Sequence, residues 1–148
     1  MPKQRQIRND GLPAEGVLLA RALFDSDPLS PVFDQRTLIL DAELNFTEFA
    51  YYGLSLWCVS ATWPMERVLD AKTRRARRVA VFRAGDLQEV GLSLVPSGKE
   101  PHYDAAFGDV YGTNGASPSS SGSAAELVER FLAAPYAVVE NNYNQERH

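Results

Sequence analysis

Two stretches of the chain are rich in β-favouring residues and divide into two alternating sets of side chains, which is the pattern of a strand. The clearer stretch is AYYGLSLWCVSA, residues 50–61, where Leu54, Leu56 and Cys58 fall on the more apolar face. The second stretch is RRVAVFRAG, residues 77–85. We expect a strand at both places, with Cys58 in the hydrophobic core.

Four other apolar stretches are less decisive, because periodicity alone does not separate a short strand from a short helix. EGVLLARALFD, residues 15–25, favours a strand, since the turn-rich DSDPLSP follows it. QRTLILDAELNF, residues 35–46, also favours a strand, because Thr, Leu and Ile follow one another between polar residues. We expect further strands at residues 92–95 and 102–112.

Two helices are expected in the middle of the chain. Residues 62–78 place apolar side chains at helical spacing, with Pro64 suited to the first turn and arginines near the end, where cations favour the helix dipole. Residues 85–92 predict a short helix in which Asp86 is the cap and Gly91 ends the last turn.

A third helix follows the Gly/Ser-rich stretch GTNGASPSSSGS. Ser123 and Glu126 form an S-x-x-E capping box at its start. The apolar residues after them share one face, which must pack on the rest of the protein. The segment YAVVE predicts a short final strand.

These elements together predict one α+β domain with a mainly antiparallel sheet packed by two or three helices. We expect a flexible arm at residues 1–12, the α+β core at 13–112 and a Ser/Gly-rich loop at 113–122. Residues 123–142 would then form a helix and a short strand docked on the core, and residues 143–148 a polar tail.

Composition and charge narrow the class of protein. The chain has 148 residues, 45% of them hydrophobic, and a formal net charge of −4, which disfavours a domain that binds nucleic acid through overall basicity but leaves room for a local basic patch. One cysteine excludes an intrachain disulfide and a Cys-rich zinc site. The polar N-terminal sequence and short apolar runs lead us to expect a cytoplasmic protein without membrane contact. Oligomeric state is not indicated.

The stretch SGKEPHYDAAFG holds the first candidate site. His102 and Asp104 would share one face of a strand, so the acid could orient the imidazole as a general acid or base, and Lys99 could neutralise an oxyanion. The alternative is a polar turn in which His102 has no chemical role. A dyad of Cys58 with His102 is disfavoured, because Cys58 is expected in the core.

No known catalytic motif accompanies this histidine. GKE at residues 98–100 lacks the rest of a phosphate-binding P-loop, and neither G-x-G-x-x-G nor G-x-S-x-G occurs. The other histidine is His148, at the end of the sequence. We therefore expect no metal site and no cofactor.

A dense run of cations is the second candidate site. Arginine suits phosphates and carboxylates, so the run could contact nucleic acid or an acidic protein, although it could also be a solvated helix end. Trp63, next to Pro64, could add an exposed interface anchor. The run consists of Lys72, Arg74, Arg75, Arg77, Arg78 and Arg83.

Two hypotheses follow. The first is a small accessory or neutralising domain, such as a subunit or an antitoxin- or immunity-like protein, that binds a protein partner, or nucleic acid, through the arginine run. The second is a small enzyme that acts on nucleotide or RNA phosphates with His102 as its acid or base. The enzyme hypothesis requires the arginines and His102 to converge on one pocket.

Overall fold

Six strands and four helices follow one another in the part of the chain that the structure, a computed structural model, describes: residues 8, 13–23, 33–49, 51–107 and 123–143. One antiparallel sheet with separate helices makes this a single α+β domain, as the sequence predicted, but with four helices rather than two or three. The elements are β1 (Leu18–Leu23), α1 (Gln35–Phe49), β2 (Gly53–Cys58), α2 (Met65–Ala71), β3 (Arg78–Arg83), α3 (Ala84–Glu89), β4 (Ser93–Val95), β5 (His102–Ala106), α4 (Ala124–Ala133) and β6 (Ala137–Glu140).

The strands lie in the order β4-β5-β2-β1-β3-β6, and all neighbours are antiparallel. β3 pairs with β1 over six positions and β5 with β2 over five. The centre of the sheet is less continuous. Among the described residues, β1 and β2 pair at two positions, Leu19 with Cys58 and Ala20 with Trp57.

Arg21 bridges the place where β1 and β2 separate. Its Nη1 donates to the carbonyl oxygen of Ser55 at 2.9 Å, and its Nη2 lies 2.7 Å from Oδ2 of Asp41 on α1. Burial lowers the pKa of Arg21, and the charge and hydrogen bond of Asp41 oppose that shift. The guanidinium thus links two strands and a helix where the backbone ladder is interrupted.

The two faces of the sheet carry different helices. α1, α3 and α4 cover one face and form the larger core with the side chains of β1, β2, β3, β4 and β5 that point to them. α2 covers part of the other face, where Val68 packs against Ala20, Val79 and Val81. Cys58 belongs to the larger core, as its strand pattern predicted.

Residues 35–46 form most of α1, so the strand expected there was wrong. The run of Thr, Leu and Ile suits a strand locally, but the buried positions are Leu38, Ala42 and Asn45. Their spacing of four and three residues is that of one helix face. Packing against the sheet and α4 therefore outweighs local strand preference.

Side chains cap two of the helices. Asp34 precedes α1 and accepts a hydrogen bond from Thr37 Oγ1 at 2.6 Å, which, with backbone N–H groups, lowers the pKa of the Asp34 carboxyl. Ser123 precedes α4, and its Oγ accepts from the backbone N–H of Glu126 at 3.1 Å. The cap that the sequence predicted at Ser123 is confirmed.

The ends of α2 and α3 differ from those that the sequence predicted. α2 stops at Ala71, so the arginines expected in its last turn follow it, in residues 72–77 and in β3. Asp86 lies inside the first turn of α3, and the capping residue is Arg83, which makes no side-chain cap bond. Gly91 follows α3 with φ of 91°, the left-handed conformation that its position predicted.

Some expected segments lie outside the described residues. These are the arm at residues 1–12 apart from Arg8, residues 108–122 with the Ser/Gly-rich loop, and the tail from residue 144. Arg8 contacts the core: its backbone N–H donates to Pro96 O at 2.7 Å and its Nη1 to Ser97 O at 3.0 Å. Among the helices of the described ranges, none has both the length and the apolar character needed to cross a bilayer.

Candidate functional site

The candidate site lies on the sheet face that carries α2, where β5 meets β2. His102 and Asp104 are two residues apart on β5 and share this face, as the sequence predicted. Trp57 of β2 pairs with His102, and Ser55 pairs with Asp104. β5 lies between β4 and β2, so His102 is a buried residue inside the sheet rather than a residue of an exposed turn.

Asp104 is the centre of a buried hydrogen-bond network. Its Oδ2 accepts a short hydrogen bond from the hydroxyl of Tyr51 and a second one from Ser97 Oγ at 2.8 Å. Nδ1 of His102 lies 3.0 Å from the carbonyl oxygen of Ser97 and 3.1 Å from its hydroxyl. Because all four side chains are buried, these contacts replace water as their polar partners.

This geometry indicates which atoms of His102 carry hydrogens. The carbonyl of Ser97 can only accept, so Nδ1 is the donor in that contact. Nε2 lies 3.6 Å from Oδ1 of Asp104. The contact with Ser97 therefore defines a hydrogen on Nδ1, and Nε2 faces the Asp104 carboxyl group at more than hydrogen-bond distance. Both ring nitrogens therefore face internal acceptors. Through its contacts with Ser97, the imidazole of His102 helps to hold the loop that precedes β5.

A cleft of about 450 Å³ opens beside this network. Its character is polar and cationic, since two lysines and one histidine contribute to it together with an indole ring. Gly98, with φ of 67°, shapes the loop at its edge, where a left-handed backbone favours glycine. The cleft is lined by Ser55, Trp57, Lys72, Gly98, Lys99 and His102.

Cations and indole rings alternate from the cleft towards the start of α2. Nζ of Lys72 lies 5.2 Å from the ring centroid of Trp57 and 5.0 Å from that of Trp63. The guanidinium carbon of Arg67 lies 3.7 Å from the Trp63 centroid. We call Trp57, Trp63, Arg67, Lys72 and Lys99 the basic–aromatic surface. Its rings are half-buried and its cations exposed.

Backbone contacts hold the loop that presents Trp63. The backbone N–H of Trp63 donates to Ser60 Oγ at 3.1 Å, and the Ser60 N–H donates to Trp63 O at 2.9 Å. Arg67 Nη1 donates to Thr62 O at 2.8 Å. The indole and its stacked guanidinium are therefore positioned before any partner arrives.

The charge of this region is opposite to that of the whole chain. Residues 62–78 contain six Lys and Arg residues against two acids, a net charge of +4, whereas the chain carries −4. Glu66 and Asp70 are the two acids, and Asp70 lies 3.5 Å from Arg74. The remainder of the chain is therefore strongly acidic, and the positive field is concentrated around α2.

The structure distributes the arginine run over several places. Arg74 pairs with Asp70 on α2, and Arg78 lies 3.3 Å from Glu140 of β6. Arg75 and Arg77 are exposed in the loop after α2. Arg83 lines a separate, mainly apolar groove of about 480 Å³ beside Tyr136 and Val139. Of the six cations, Lys72 is the one that lines the His102 cleft.

The other sequence candidates are also located. Lys99 joins His102 at the cleft, and Asp104 lies behind His102. Cys58 faces the larger core, on the side of the sheet opposite to His102, so the two do not form a dyad. Trp63 packs against the smaller core with part of its ring exposed. Within the described ranges, no group of three or more His, Cys, Asp or Glu residues could hold a metal.

Three contributors to the site escaped the sequence analysis. Trp57 was assigned to packing, although the alternation of GLSLW already placed it with Ser55 on the face opposite to Leu54 and Leu56. Tyr51 and Ser97 carried no local signal, because their shared partner Asp104 is distant in sequence from Tyr51 and only the folded sheet brings them together.

Comparison of the chain with protein-family models, with curated proteins and with solved structures gives no significant match. The site itself, a polar cleft and a basic–aromatic surface on an α+β domain, is therefore the basis for inferring function.

Proposed function

We propose that this protein is a binding domain that contacts an anionic macromolecule through the basic–aromatic surface, as an accessory subunit or a neutralising partner would. One observation carries the proposal: the ammonium of Lys72 lies over both the Trp57 ring and the Trp63 ring at the edge of the cleft. A cation held by two rings loses less side-chain entropy when it binds an anion than a free lysine does.

Two further exposed cations follow Lys72 in the sequence. Arg75 and Arg77 are exposed just after α2, and within the described part of the chain neither has an acidic partner. Trp and Arg are the residues most enriched at interface hot spots. The arginine run thus contributes to the proposal through Arg75 and Arg77, which are exposed cations without an acidic partner among the described residues, whereas Arg83 belongs to another groove.

A second candidate is acid–base chemistry by His102 on a phosphate ester. It is supported by the position of His102 in one cleft with Lys72 and Lys99, which could neutralise a phosphate. Binding is favoured over chemistry because both nitrogens of His102 already contact internal acceptors, and because the arginines do not converge on the cleft.

Retention on immobilised heparin, a polyanion, tests the binding proposal. We expect Lys72→Gln and Arg75→Gln to elute at lower salt than the unsubstituted protein. Arg36→Gln is the matched control, because Arg36 is an exposed cation on α1, across the sheet. Equal elution of all four proteins, or no retention of any, would contradict the proposal.

The catalytic candidate has its own measurement. Release of p-nitrophenolate from bis(p-nitrophenyl) phosphate should be detectable for the unsubstituted protein and absent for His102→Gln if His102 moves protons. The same rate for both proteins, with unchanged circular dichroism, would leave binding as the function of the cleft.

A further inference from the structure

We infer that the anionic ligand of the basic–aromatic surface is single-stranded nucleic acid, with phosphates at Lys72 and Lys99 and bases on the exposed parts of Trp57 and Trp63. This inference rests on the proposed function and gives the ligand its class. It begins from the alternation of charge and ring along one surface, which matches the alternation of phosphate and base along a strand.

The dimensions of the surface fit a short strand. Both indole centroids lie about 5 Å from the same ammonium, so the rings are within about 10 Å of each other. Stacked nucleotides repeat about every 3.4 Å along a strand, so this distance spans at most about three nucleotide steps. The cleft beyond Trp57, at about 450 Å³, offers room for one further base or sugar.

The same features argue against double-stranded nucleic acid. Stacking on an indole needs an exposed base face, and a duplex buries its base faces against each other. A duplex reader normally inserts a helix into the major groove. α2 has seven residues, and Val68 in its middle is fully buried against the sheet, so this helix is not available for insertion.

An acidic protein surface would use the cations but not the rings. A carboxylate gains from Lys72 and Arg67 alone, whereas a base also gains by stacking on the exposed parts of the two rings or on the guanidinium plane of Arg67, by an amount that alanine substitution can measure. The acidic remainder of the chain limits contact to this one region, because it repels the phosphate backbone elsewhere.

Fluorescence anisotropy with a 5′-fluorescein octanucleotide tests the inference. The probes are U8 RNA, dT8 DNA and a duplex of the same length, each measured at 50 and 200 mM salt. We expect both single strands to bind more tightly than the duplex. The RNA and DNA arms show whether the 2′-hydroxyl contributes.

Two variants separate stacking from charge. Trp63→Ala should weaken binding by roughly 5- to 150-fold, the range measured for loss of one stacked base, and Trp63→Phe should recover most of that loss. Lys72→Gln should lower the slope of log K against log salt by about 0.7, the value for one phosphate of a single strand. Arg36→Gln should change neither quantity. Circular dichroism confirms that each variant is folded.

The outcomes distinguish this inference from the proposed function. If heparin is retained but neither single strand binds, or if Trp63→Ala binds as well as the unsubstituted protein while Lys72→Gln is weaker, the nucleic-acid inference is wrong and an acidic protein is the ligand. If duplex and single strand bind equally, the role given to the rings is wrong. If heparin is not retained either, the proposed function itself is wrong.

Discussion

Removal of the Tyr51 hydroxyl tests whether the Asp104 network stabilises the fold. Tyr51 is 2% exposed, and its hydroxyl donates to the buried carboxylate of Asp104. A hydrogen bond to a charged group contributes about 1.5–3 kcal/mol to stability. Tyr51→Phe keeps the ring and its packing, so we expect a loss of about 2 kcal/mol, because Ser97 still donates to the same oxygen.

Thermal and urea unfolding, followed by circular dichroism, measure this loss. For a chain of this length, about 2 kcal/mol corresponds to a fall in Tm of roughly 4–8 °C. Tyr52→Phe is the control, since it makes the same chemical change one residue on, where the ring stacks on Phe46. Within the described residues, the Tyr52 hydroxyl has no hydrogen bond, so we expect a change within about 0.5 kcal/mol.

A double-mutant cycle strengthens the test. Tyr51 and Ser97 donate to the same oxygen of Asp104, so the combined loss in Tyr51→Phe/Ser97→Ala should differ from the sum of the single losses by at least about 0.5 kcal/mol. Equal unfolding midpoints for Tyr51→Phe and Tyr52→Phe, or strict additivity in the cycle, would refute the view that Asp104 organises this region.

Three further outcomes are expected. Ser123→Ala should lower stability by about 1 kcal/mol through loss of the α4 cap, whereas Ser123→Asp should not, as urea unfolding would show. Leu127→Ala, at a fully buried position, should cost about 2–5 kcal/mol, and Leu40→Ala, at a position 59% exposed, less than about 0.5 kcal/mol. Because folding lowers the pKa of Asp34, its ionised form stabilises the protein above the usual carboxyl pKa, and this contribution disappears as pH falls through the native value. The unfolding midpoints of the unsubstituted protein and Asp34→Ala should therefore converge in acid.

Local pattern was sufficient for β2 and β3. The alternation in residues 50–61 predicted β2, whose Ser55 and Trp57 are less buried than Leu54 and Leu56. The β-favouring run in residues 77–85 predicted β3, which is buried on both faces of the sheet. Local pattern failed at α1, since the exposed Leu40 and Leu44 and the buried Asn45 obscure the helical face. These three residues depart from the usual rule that apolar side chains are buried and polar side chains exposed.

The site was predictable in part. The two-residue spacing of His102 and Asp104 places them on one face in any strand. The contacts that fix their role are long-range, because Tyr51 reaches Asp104 only after β2 and β5 pair. The sequence also did not show that α2 ends at Ala71. The arginines of the run lie after the helix, so they do not form the cationic helix end that was one interpretation of the run.

The interruption between β1 and β2 divides the sheet into two ribbons of three strands, β4-β5-β2 and β1-β3-β6. Two residue pairs, the hydrogen bond from Val59 N–H to Leu18 O and the side chain of Arg21 join them. Native proteins open in units, so the seam between the ribbons should release amide protons to solvent more readily than β3, which is paired on both sides. Trp57 belongs to one ribbon, and α2 packs on the other through Val79 and Val81. A ligand that contacts both ribbons would hold them together. Its binding would then slow amide hydrogen exchange along the seam without any change in the fold.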